Sequence, residues 1–218
     1  MTAPRQEAVA GDAAGRAIVF DFGAVVFRWR PEVVIAQALP ARAGDAASAR
    51  HWVGEVFQQY GGDWGDFDRG WIDVDALAAR IAARTGLALA EAHAVIAAAP
   101  EELVAQPPTV AWIERLAAAG WPLHFLSNMP APFADTLERR NDFFRHFHSG
   151  VFSGRVGLAK PDPAIFALAA QRFGRAPAQL LLLDDHAGNI AAARAAGWQA
   201  VLFVDAAQAE AEVRALGW

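Results

Sequence analysis

Short, uninterrupted apolar runs recur along the chain and alternate with segments of helical periodicity. The clearest apolar runs cover residues 17–20, 180–183 and 200–204; the segment 122–126, which contains His124, and the weaker segment 151–153 also have the pattern of strands. Runs of this length are typical of strands that are buried on both faces of a parallel sheet. Between them, apolar residues recur at helical spacing, as at Val110, Ile113 and Leu116. This alternation predicts an α/β fold with a doubly wound parallel sheet.

The pattern changes between residues 31 and 107, where helical spacing dominates and no convincing strand occurs. Pro107-Pro108 ends this block. We therefore predict a helical insertion over 31–107 in a core domain made of 17–30 and 108–218. Residues 1–16 are rich in alanine, glycine and charge without any pattern, so we expect a flexible N-terminal tail there.

Polar side chains stand at the carboxyl ends of three predicted strands. Asp21 follows the first run, Ser127-Asn128 follows the second, and Asp184-Asp185 follows the run at 180–183. Ligands of open α/β sheets bind outside the carboxyl ends of the strands, so we expect these residues at one rim. Lys160 lies in a loop just before a predicted helix, and we expect it to be a fourth element of the same site.

These residue types fit phosphoryl transfer around a magnesium ion. Asp21 and the Asp184-Asp185 pair supply the hard carboxylate oxygens that Mg²⁺ prefers, and a cation relieves the repulsion among close carboxylates. Lys160 can hold a phosphoryl oxygen, and Ser127 and Asn128 can donate to the others. An aspartate that attacks phosphorus forms an acyl phosphate, which water then hydrolyses. We therefore interpret Asp21 and Lys160 as catalytic residues.

Composition and charge narrow the choice of partners. The formal net charge is −5 and no Lys/Arg run occurs, so we expect no nucleic-acid partner. The sequence has no cysteine, which excludes disulfides, thiolate chemistry and Cys-based zinc sites. No signal-peptide pattern and no charge-free apolar run of transmembrane length occur, so we expect no membrane partner and a cytoplasmic location. The expected partner is a small phosphorylated metabolite, and the sequence does not reveal the oligomeric state.

Four segments resemble, in the same order, the motifs of the haloacid dehalogenase-like (HAD) hydrolase superfamily. They are IVFDFGAV at 18–25, LSN at 126–128, KPDP at 160–163 and LDDHAGN at 183–189. The insertion between the first two motifs is similar to the helical C1 cap of subfamily I. Phe67-Asp68-Arg69-Gly70 resembles a cap segment of the branch that includes α-D-glucose-1-phosphate phosphatase. This resemblance, which spans residues 17–205, implies a phosphatase that depends on Mg²⁺.

The resemblance also implies a role for each matched residue. Asp21 would be the nucleophile and a ligand of Mg²⁺, together with Asp185 and the backbone carbonyl of Gly23. Asp184 and Asn189 would support the metal or the loop of Lys160. Phosphate would be held by side chains and backbone groups of Gly23, Ala24, Ser127, Asn128 and Lys160.

One position departs from the pattern of most phosphatases in the superfamily. They carry a second aspartate two residues after the nucleophile, which protonates the leaving group and later activates water, whereas this sequence has Gly23 there. In this respect the sequence resembles the glucose-1-phosphate phosphatase branch, which has a similar Asp-x-Gly pattern. An anomeric phosphate depends less on protonation, because its leaving group is comparatively good. We therefore hypothesise that the substrate is a sugar phosphate, and His186 is a second candidate acid.

Three other functions remain open at this point. The sequence also resembles the 2-haloacid dehalogenases, which have the same fold and use the same aspartate without a metal. The two acids Asp184-Asp185 argue against this function, because they would repel a carboxylate substrate. A non-catalytic binding protein is compatible with Gly23. A phosphomutase must move protons in both directions, which the missing acid disfavours.

Several further residues keep two interpretations. Most aromatic side chains of the insertion are predicted to form its own core: Trp52, Tyr60, Trp64 and Trp71. The loop at 58–64 either faces the substrate or is a plain surface loop. Arg28 or Arg30 either attracts an anion or is only a surface charge, and His124 is predicted to lie in the core.

Overall fold

A computed structural model describes residues 15–218, which are built around a five-stranded sheet. The strands are β1 (Ala17–Phe20), β2 (Leu123–Ser127), β3 (Ser149–Phe152), β4 (Leu180–Asp184) and β5 (Gln199–Leu202). They lie in the order β3-β2-β1-β4-β5, and every neighbouring pair is parallel. The predicted α/β fold with a doubly wound parallel sheet is therefore confirmed.

Ten α-helices occur within residues 15–218. Those between β1 and β2 are α1 (Pro31–Ala38), α2 (Ala46–Phe57), α3 (Gly62–Asp68), α4 (Val74–Thr85), α5 (Leu89–Glu102) and α6 (Pro107–Ala118). The remaining helices are α7 (Ala131–Arg140), α8 (Pro163–Phe173), α9 (Ala187–Ala195) and α10 (Ala206–Ala215). Residues 31–102 contain helices and no strand, in line with the helical pattern of that segment.

The two faces of the sheet carry separate apolar clusters, because successive side chains of a strand point to opposite faces. Ile18 and Phe20 of β1 pack in the cluster to which α6 and α10 contribute. Ala17 and Val19 pack in the other cluster, to which α8 and α9 contribute. Burial on both faces is the physical reason for the uninterrupted apolar runs of the sequence.

The helices α1 to α5 share their apolar core with one face of the sheet. Val34 of α1 and Ile96 of α5 belong to the same buried cluster as Phe20 of β1. Local signals set the helix ends in this segment. Asp73 caps α4 by accepting a backbone hydrogen bond of 2.8 Å in its first turn, and Gly86 ends the same helix at a φ of 73°.

Three elements differ from the pattern-based prediction by more than one residue: β3, α7 and β5, which ends at Leu202 instead of residue 204. β3 begins at Ser149 instead of residue 151, because Ser149 and Gly150 pair with β2 although neither is apolar. Gly150 lies against the ring of Phe125, and a Cβ there would come within 2.1 Å of ring atoms. The helix α7 has no counterpart in the prediction, because it buries only a narrow stripe of side chains: Phe133, Ala134 and Leu137.

Residues 1–14 of the predicted tail lie outside the described residues. Arg16, which the prediction also assigns to the tail, packs against two tryptophan side chains. Its guanidinium lies 5.5 Å from the ring centroid of Trp121 and 5.0 Å from that of Trp218, and it donates to the Gly217 carbonyl at 2.6 Å. Within residues 15–218, no helix combines the length and apolarity needed to cross a bilayer.

Candidate active site

Polar residues converge where the three central strands end. β1 lies between β2 and β4, so Asp21, Asn128 and Asp185 follow neighbouring strands. Ser127 and Asp184 are the last residues of β2 and β4. The chain winds away from β1 in both directions along the sheet, and ligands of open α/β sheets bind at such a point.

Asp21 is fixed by the turn that follows β1. Its backbone N–H donates to the Leu183 carbonyl of β4 at 2.8 Å, and its Oδ1 accepts from the Phe22 N–H at 2.7 Å. Ala24 has a φ of 58°, a left-handed conformation that non-glycine residues rarely adopt outside functional turns. The turn brings Gly23 and Ala24 to the wall of the cavity that lies above the rim.

A buried lysine joins two carboxylates at this rim. Lys160 Nζ lies 2.9 Å from Asp21 Oδ1 and 2.5 Å from Asp184 Oδ2, and the residue is 3% exposed. Burial lowers the pKa of Lys160, but the attraction of Asp184 and Asp21 outweighs it, so the net change is upward. Lys160 therefore stays charged, and it is the single lysine of the sequence.

The two adjacent acids after β4 have different surroundings. Asp184 is fully buried and accepts from Lys160, from the His186 N–H at 2.8 Å, and from Asn189 Nδ2 at 3.0 and 3.1 Å. Asp185 is exposed at the cavity wall, where loss of solvation and the charge of Asp184 raise its pKa. Asp184 is thus occupied by protein donors, whereas Asp185 is open to a ligand.

Three carboxylates lie close enough to share one cation. Asp21, Asp184 and Asp185 each offer an oxygen, and these atoms lie within 4.8 Å of one another. Burial raises the pKa of Asp21 to about 7; Lys160 opposes this change, and repulsion from Asp184 and Asp185 adds to it. A divalent cation offsets such repulsion, and hard oxygen donors of this kind fit Mg²⁺. The carboxylate oxygens that are least occupied by protein contacts, and so most open to a metal ion, are Asp21 Oδ2 and those of Asp185.

Ser127 and Asn128 occupy different positions at the end of β2. The Ser127 hydroxyl is buried and lacks a hydrogen-bond partner among the described residues, which is costly unless a ligand supplies one. The Asn128 side chain binds the backbone of Lys160. Its Nδ2 donates to the Lys160 carbonyl and its Oδ1 accepts from the Lys160 N–H, both at 2.8 Å. Asn128 therefore positions the lysine loop, a contact that the sequence did not predict.

A cavity of about 390 Å³ opens between this rim and the helical segment. Asp21, Gly23, Lys160 and Asp185 form its polar end. The rest of the wall is mainly aromatic and apolar, and it includes Trp29, Tyr60, Trp64, Leu103, Met129 and Phe133. A cavity of this volume and mixed lining is typical of small-molecule sites. It suits a molecule that carries an anionic group on a less polar body.

The loop before α3 forms part of the cavity wall. Gln58, Gln59 and Tyr60 have φ values of 49°, 53° and 60°, and a left-handed run of non-glycine residues is strained. Trp29 Nε1 donates to the Tyr60 hydroxyl at 2.7 Å and holds the loop. Gln59, Tyr60 and Gly61 line the cavity. Of the two interpretations of 58–64, the structure thus favours a loop that faces the cavity.

Asp68, the last residue of α3, is a buried carboxyl at which the sequence pattern predicts no role. It is 6% exposed and lines the cavity. Burial raises the pKa of Asp68 to about 8, and Arg69 opposes this change only in part. Its only sequence signal is its place in the cap-like segment at 67–70.

Other candidates do not belong to the site. Arg28 and Arg30 both pair with Glu102, at 2.8 and 2.6 Å, and neither lines the cavity, so they do not act there as anion-binding residues. His124 is buried as predicted, and burial lowers its pKa to about 4. Trp71 is 63% exposed, so it lies outside the core that the aromatic residues of the insertion are predicted to form.

Comparison with protein families covers most of the chain, including the segments that carry the four motifs. A family model described as haloacid dehalogenase-like hydrolase matches residues 16–197. The chain belongs to this family. The matched region runs from β1 to the end of α9, so it contains Asp21, Ser127, Lys160 and Asp185. The superfamily to which the motifs are similar is therefore confirmed, and the branch within it stays a prediction.

Two named relatives match the chain to different extents. A phosphoglycolate phosphatase of Escherichia coli (strain K12) is 37% identical over 86 residues, or 39% of this chain. That match spans only 34% of the length of the Escherichia coli enzyme. The sesquiterpene phosphatase astK of Aspergillus oryzae is 24% identical over 202 residues, which cover 92% of this chain and 96% of that protein.

Solved structures of the family share the fold. A HAD family enzyme, bt-2542 from Bacteroides thetaiotaomicron, was solved with magnesium and inorganic phosphate. It matches with a TM-score of 0.69 at 19% identity, over 85% of this chain and 92% of its own. The L-2-haloacid dehalogenase RSc1362 matches with a TM-score of 0.65 at 25% identity, over 85% and 84%. One fold thus hosts more than one chemistry, and the site residues must decide between them.

Proposed function

We propose that the chain is a magnesium-dependent phosphatase, which hydrolyses small phosphate monoesters through a phosphorylated Asp21. The observation that carries the proposal is the surroundings of the Asp21 carboxylate. Lys160 Nζ lies 2.9 Å from one of its oxygens, and the carboxylate of Asp185 belongs to the same cluster within 4.8 Å. Such a cluster holds a phosphate group between a lysine and a cation. The phosphatase names of two relatives support the proposal.

Asp21 is the nucleophile in this proposal. Its carboxylate forms a bond to phosphorus while the bond from phosphorus to the leaving oxygen breaks, and water then hydrolyses the acyl phosphate. Lys160, which Asp184 keeps charged, stabilises negative charge on the phosphoryl oxygens. The Ser127 hydroxyl, which has no hydrogen-bond partner within residues 15–218, donates to another of these oxygens. The backbone at Gly23 and Ala24 completes the phosphate site.

Mg²⁺ would be held by Asp21, Asp185 and the backbone carbonyl of Gly23, and when bound it neutralises charge on the phosphate. Asp184 is a weaker candidate for direct binding, because Lys160 and Asn189 already bind its oxygens. Asp184 and Asn189 instead keep the lysine and the rim in place.

Residues 31–107 form the cap in this proposal, and 17–30 with 108–218 form the core domain. The cap contributes Tyr60 and Trp64 to the cavity, so it contacts the leaving group and not the phosphate. We propose a sugar phosphate as substrate, because aromatic side chains offer a flat surface for a ring and Asp68 offers a hydrogen bond to a hydroxyl. The named substrates of the two relatives differ widely in polarity, so the leaving group needs a direct test.

A 2-haloacid dehalogenase is the second candidate, because the chain shares its fold with RSc1362. It would use Asp21 as a nucleophile on carbon, without a metal. The repulsion between the Asp184-Asp185 pair and a carboxylate substrate disfavours it. A non-catalytic protein that binds phosphate esters without hydrolysing them is the third candidate.

Phosphate release from a panel of phosphorylated metabolites, with Mg²⁺ or with EDTA, separates these functions. We expect turnover only with Mg²⁺, faster on sugar 1-phosphates than on unactivated esters, and none in Asp21→Asn. Asp142→Asn, at an exposed acid outside the cavity, is the matched control and should keep full turnover. Unaltered turnover in Asp21→Asn excludes Asp21 as the nucleophile. Halide release from a 2-haloacid in EDTA establishes the second candidate, and ester binding without hydrolysis establishes the third.

A further inference from the structure

The cavity holds a buried carboxyl that the proposed reaction does not yet use as a proton donor. Asp68 lines the same cavity as Asp21 and Lys160, and it is 6% exposed. No hydrogen bond to its carboxyl comes from any group within residues 15–218. An unpartnered buried carboxyl costs stability, so its presence in a ligand cavity points to a chemical role.

Hydrolysis of an unactivated phosphate ester requires a group that donates a proton to the leaving oxygen. The departing alkoxide is a strong base, and a proton donor lowers the barrier to its departure. Gly23 has no side chain to donate, and Lys160 is held by Asp21 and Asp184. A Cβ at Gly23 would meet no atom within 4 Å, so the space beside the nucleophile is open. A leaving group that occupies this space would lie in the cavity that Asp68 also lines.

We propose that Asp68 is the general acid of this site and donates its proton to the leaving oxygen as Asp21 attacks phosphorus. The inference rests on the proposed phosphatase function and deepens it.

Both half-reactions balance with one proton on Asp68. In the first, an Asp21 oxygen bonds to phosphorus, the ester bond breaks, and the leaving oxygen keeps its electron pair and takes the Asp68 proton. In the second, the Asp68 carboxylate takes a proton from water as the water oxygen bonds to phosphorus. The bond between phosphorus and Asp21 breaks, inorganic phosphate leaves, and Asp68 is protonated again.

Contacts with the core domain fix the backbone of Asp68 above the rim. Ser153 Oγ donates to the Asp68 carbonyl at 2.5 Å and accepts from the Met129 N–H at 2.8 Å. Gly70, with a φ of 72°, lies so close to Gly154 that a Cβ would come within 2.4 Å of its carbonyl oxygen. The end of α3 is therefore docked on the core domain, and Asp68 keeps its place relative to Asp21.

Burial favours the form of Asp68 that can donate. It raises the pKa of the Asp68 carboxyl to about 8, so the group carries its proton at neutral pH. Tyr60 is another protonated side chain in the wall, but burial raises its pKa above the usual 10.0, which makes it the weaker acid. Of these two side chains, Asp68 is the better matched donor near neutral pH.

The test compares two esters that differ in their need for a proton. An alkyl phosphate leaves as a basic alkoxide, whereas 4-nitrophenyl phosphate leaves as a stabilised phenolate. We expect Asp68→Asn to lower kcat/KM for the alkyl ester about 100-fold, and by a much smaller factor for the nitrophenyl ester. Asp66→Asn removes an acid from the same helix that pairs with Arg80 outside the cavity, and it should leave the ratio of the two rates unchanged.

A rescue variant separates chemistry from structure. Gly23→Asp fits the open space beside the nucleophile, so it should restore at least about 10-fold of the lost alkyl-ester rate when added to Asp68→Asn. Equal losses on both esters, or no rescue, overturn the role of Asp68 while phosphatase activity stands. If the unmodified chain releases phosphate from neither ester and from no sugar phosphate of the panel, the proposed function fails first, and this inference fails with it.

Discussion

Replacing Asp68 by asparagine should stabilise the protein at neutral pH, and the stability difference from the parent should grow with pH. In the unfolded chain this carboxyl ionises near its ordinary pKa of 3.8, whereas burial raises its pKa to about 8 in the folded protein. Between these values the folded state holds a proton that the unfolded state has lost. The free energy of unfolding therefore falls as pH rises through this window, and it is least affected below pH 4.

The size of the effect follows from the same pKa change. Each pH unit inside the window costs about 1.4 kcal/mol, so the cost of Asp68 at pH 7 is of the order of 4 kcal/mol. Asparagine does not titrate, but its buried amide carries a fixed cost of about 1–3 kcal/mol. This fixed cost cancels when two pH values are compared. The stability difference between Asp68→Asn and the parent should therefore rise by about 3 kcal/mol from pH 5 to pH 7.

Urea unfolding at pH 5 and pH 7, in buffer with EDTA, measures this difference directly. The contribution of Asp21, which also titrates in this range, is common to both proteins and drops out. Arg69 and Tyr60 are the charged and titratable groups beside Asp68, and both are retained. Asp66→Asn is the matched control for the loss of one carboxylate from α3. A stability difference that stays constant within about 0.5 kcal/mol would refute a buried, protonated Asp68.

Three further predictions concern the rim and its support. Lys160→Met should lower the free energy of unfolding by about 3–5 kcal/mol, because it leaves two buried carboxylates without their cation, and an unchanged urea midpoint would contradict this. Asp185→Asn should weaken activation in a Mg²⁺ titration with little effect on the melting temperature, whereas Asp184→Asn should lower the melting temperature; the opposite assignment would refute the two roles. Ser153→Ala should cost about 1–3 kcal/mol in urea unfolding, because it leaves a buried backbone N–H without its acceptor, and equal stability would show that the contact is dispensable.

The strands were predictable because each is buried on both faces. β1 and β4 consist of residues that pack against helices above and below the sheet, so their apolar runs are continuous in sequence. β3 begins earlier than its apolar run because Gly150 leaves room for the Phe125 ring. This fit between a glycine on one strand and an aromatic ring on the next depends on both strands, so neither segment of the sequence predicts it alone.

The polar end of the site was equally accessible from sequence. Asp21, Ser127 and Asp184 stand at the ends of strands that are neighbours in the sheet, and the parallel fold brings such ends together. Asp184 and Asp185 have different surroundings because successive side chains at the end of a strand point in opposite directions. One carboxylate is buried beneath Lys160 and the other is exposed to the cavity. Adjacent letters in a sequence do not reveal which one points inward.

The sequence by itself determined the parallel α/β fold, the helical segment and the four motif segments, because these depend on local periodicity and on residues that follow strands directly. Only the tertiary structure decided what lies opposite the nucleophile. Asp68 and Tyr60 reach the cavity through the packing of the helical segment against the sheet and its loops, and Trp29, just before that segment, also lines it. The cavity wall that they form is a property of that packing. A carboxyl has an ordinary pKa in an exposed chain and a raised one only where the fold removes water around it.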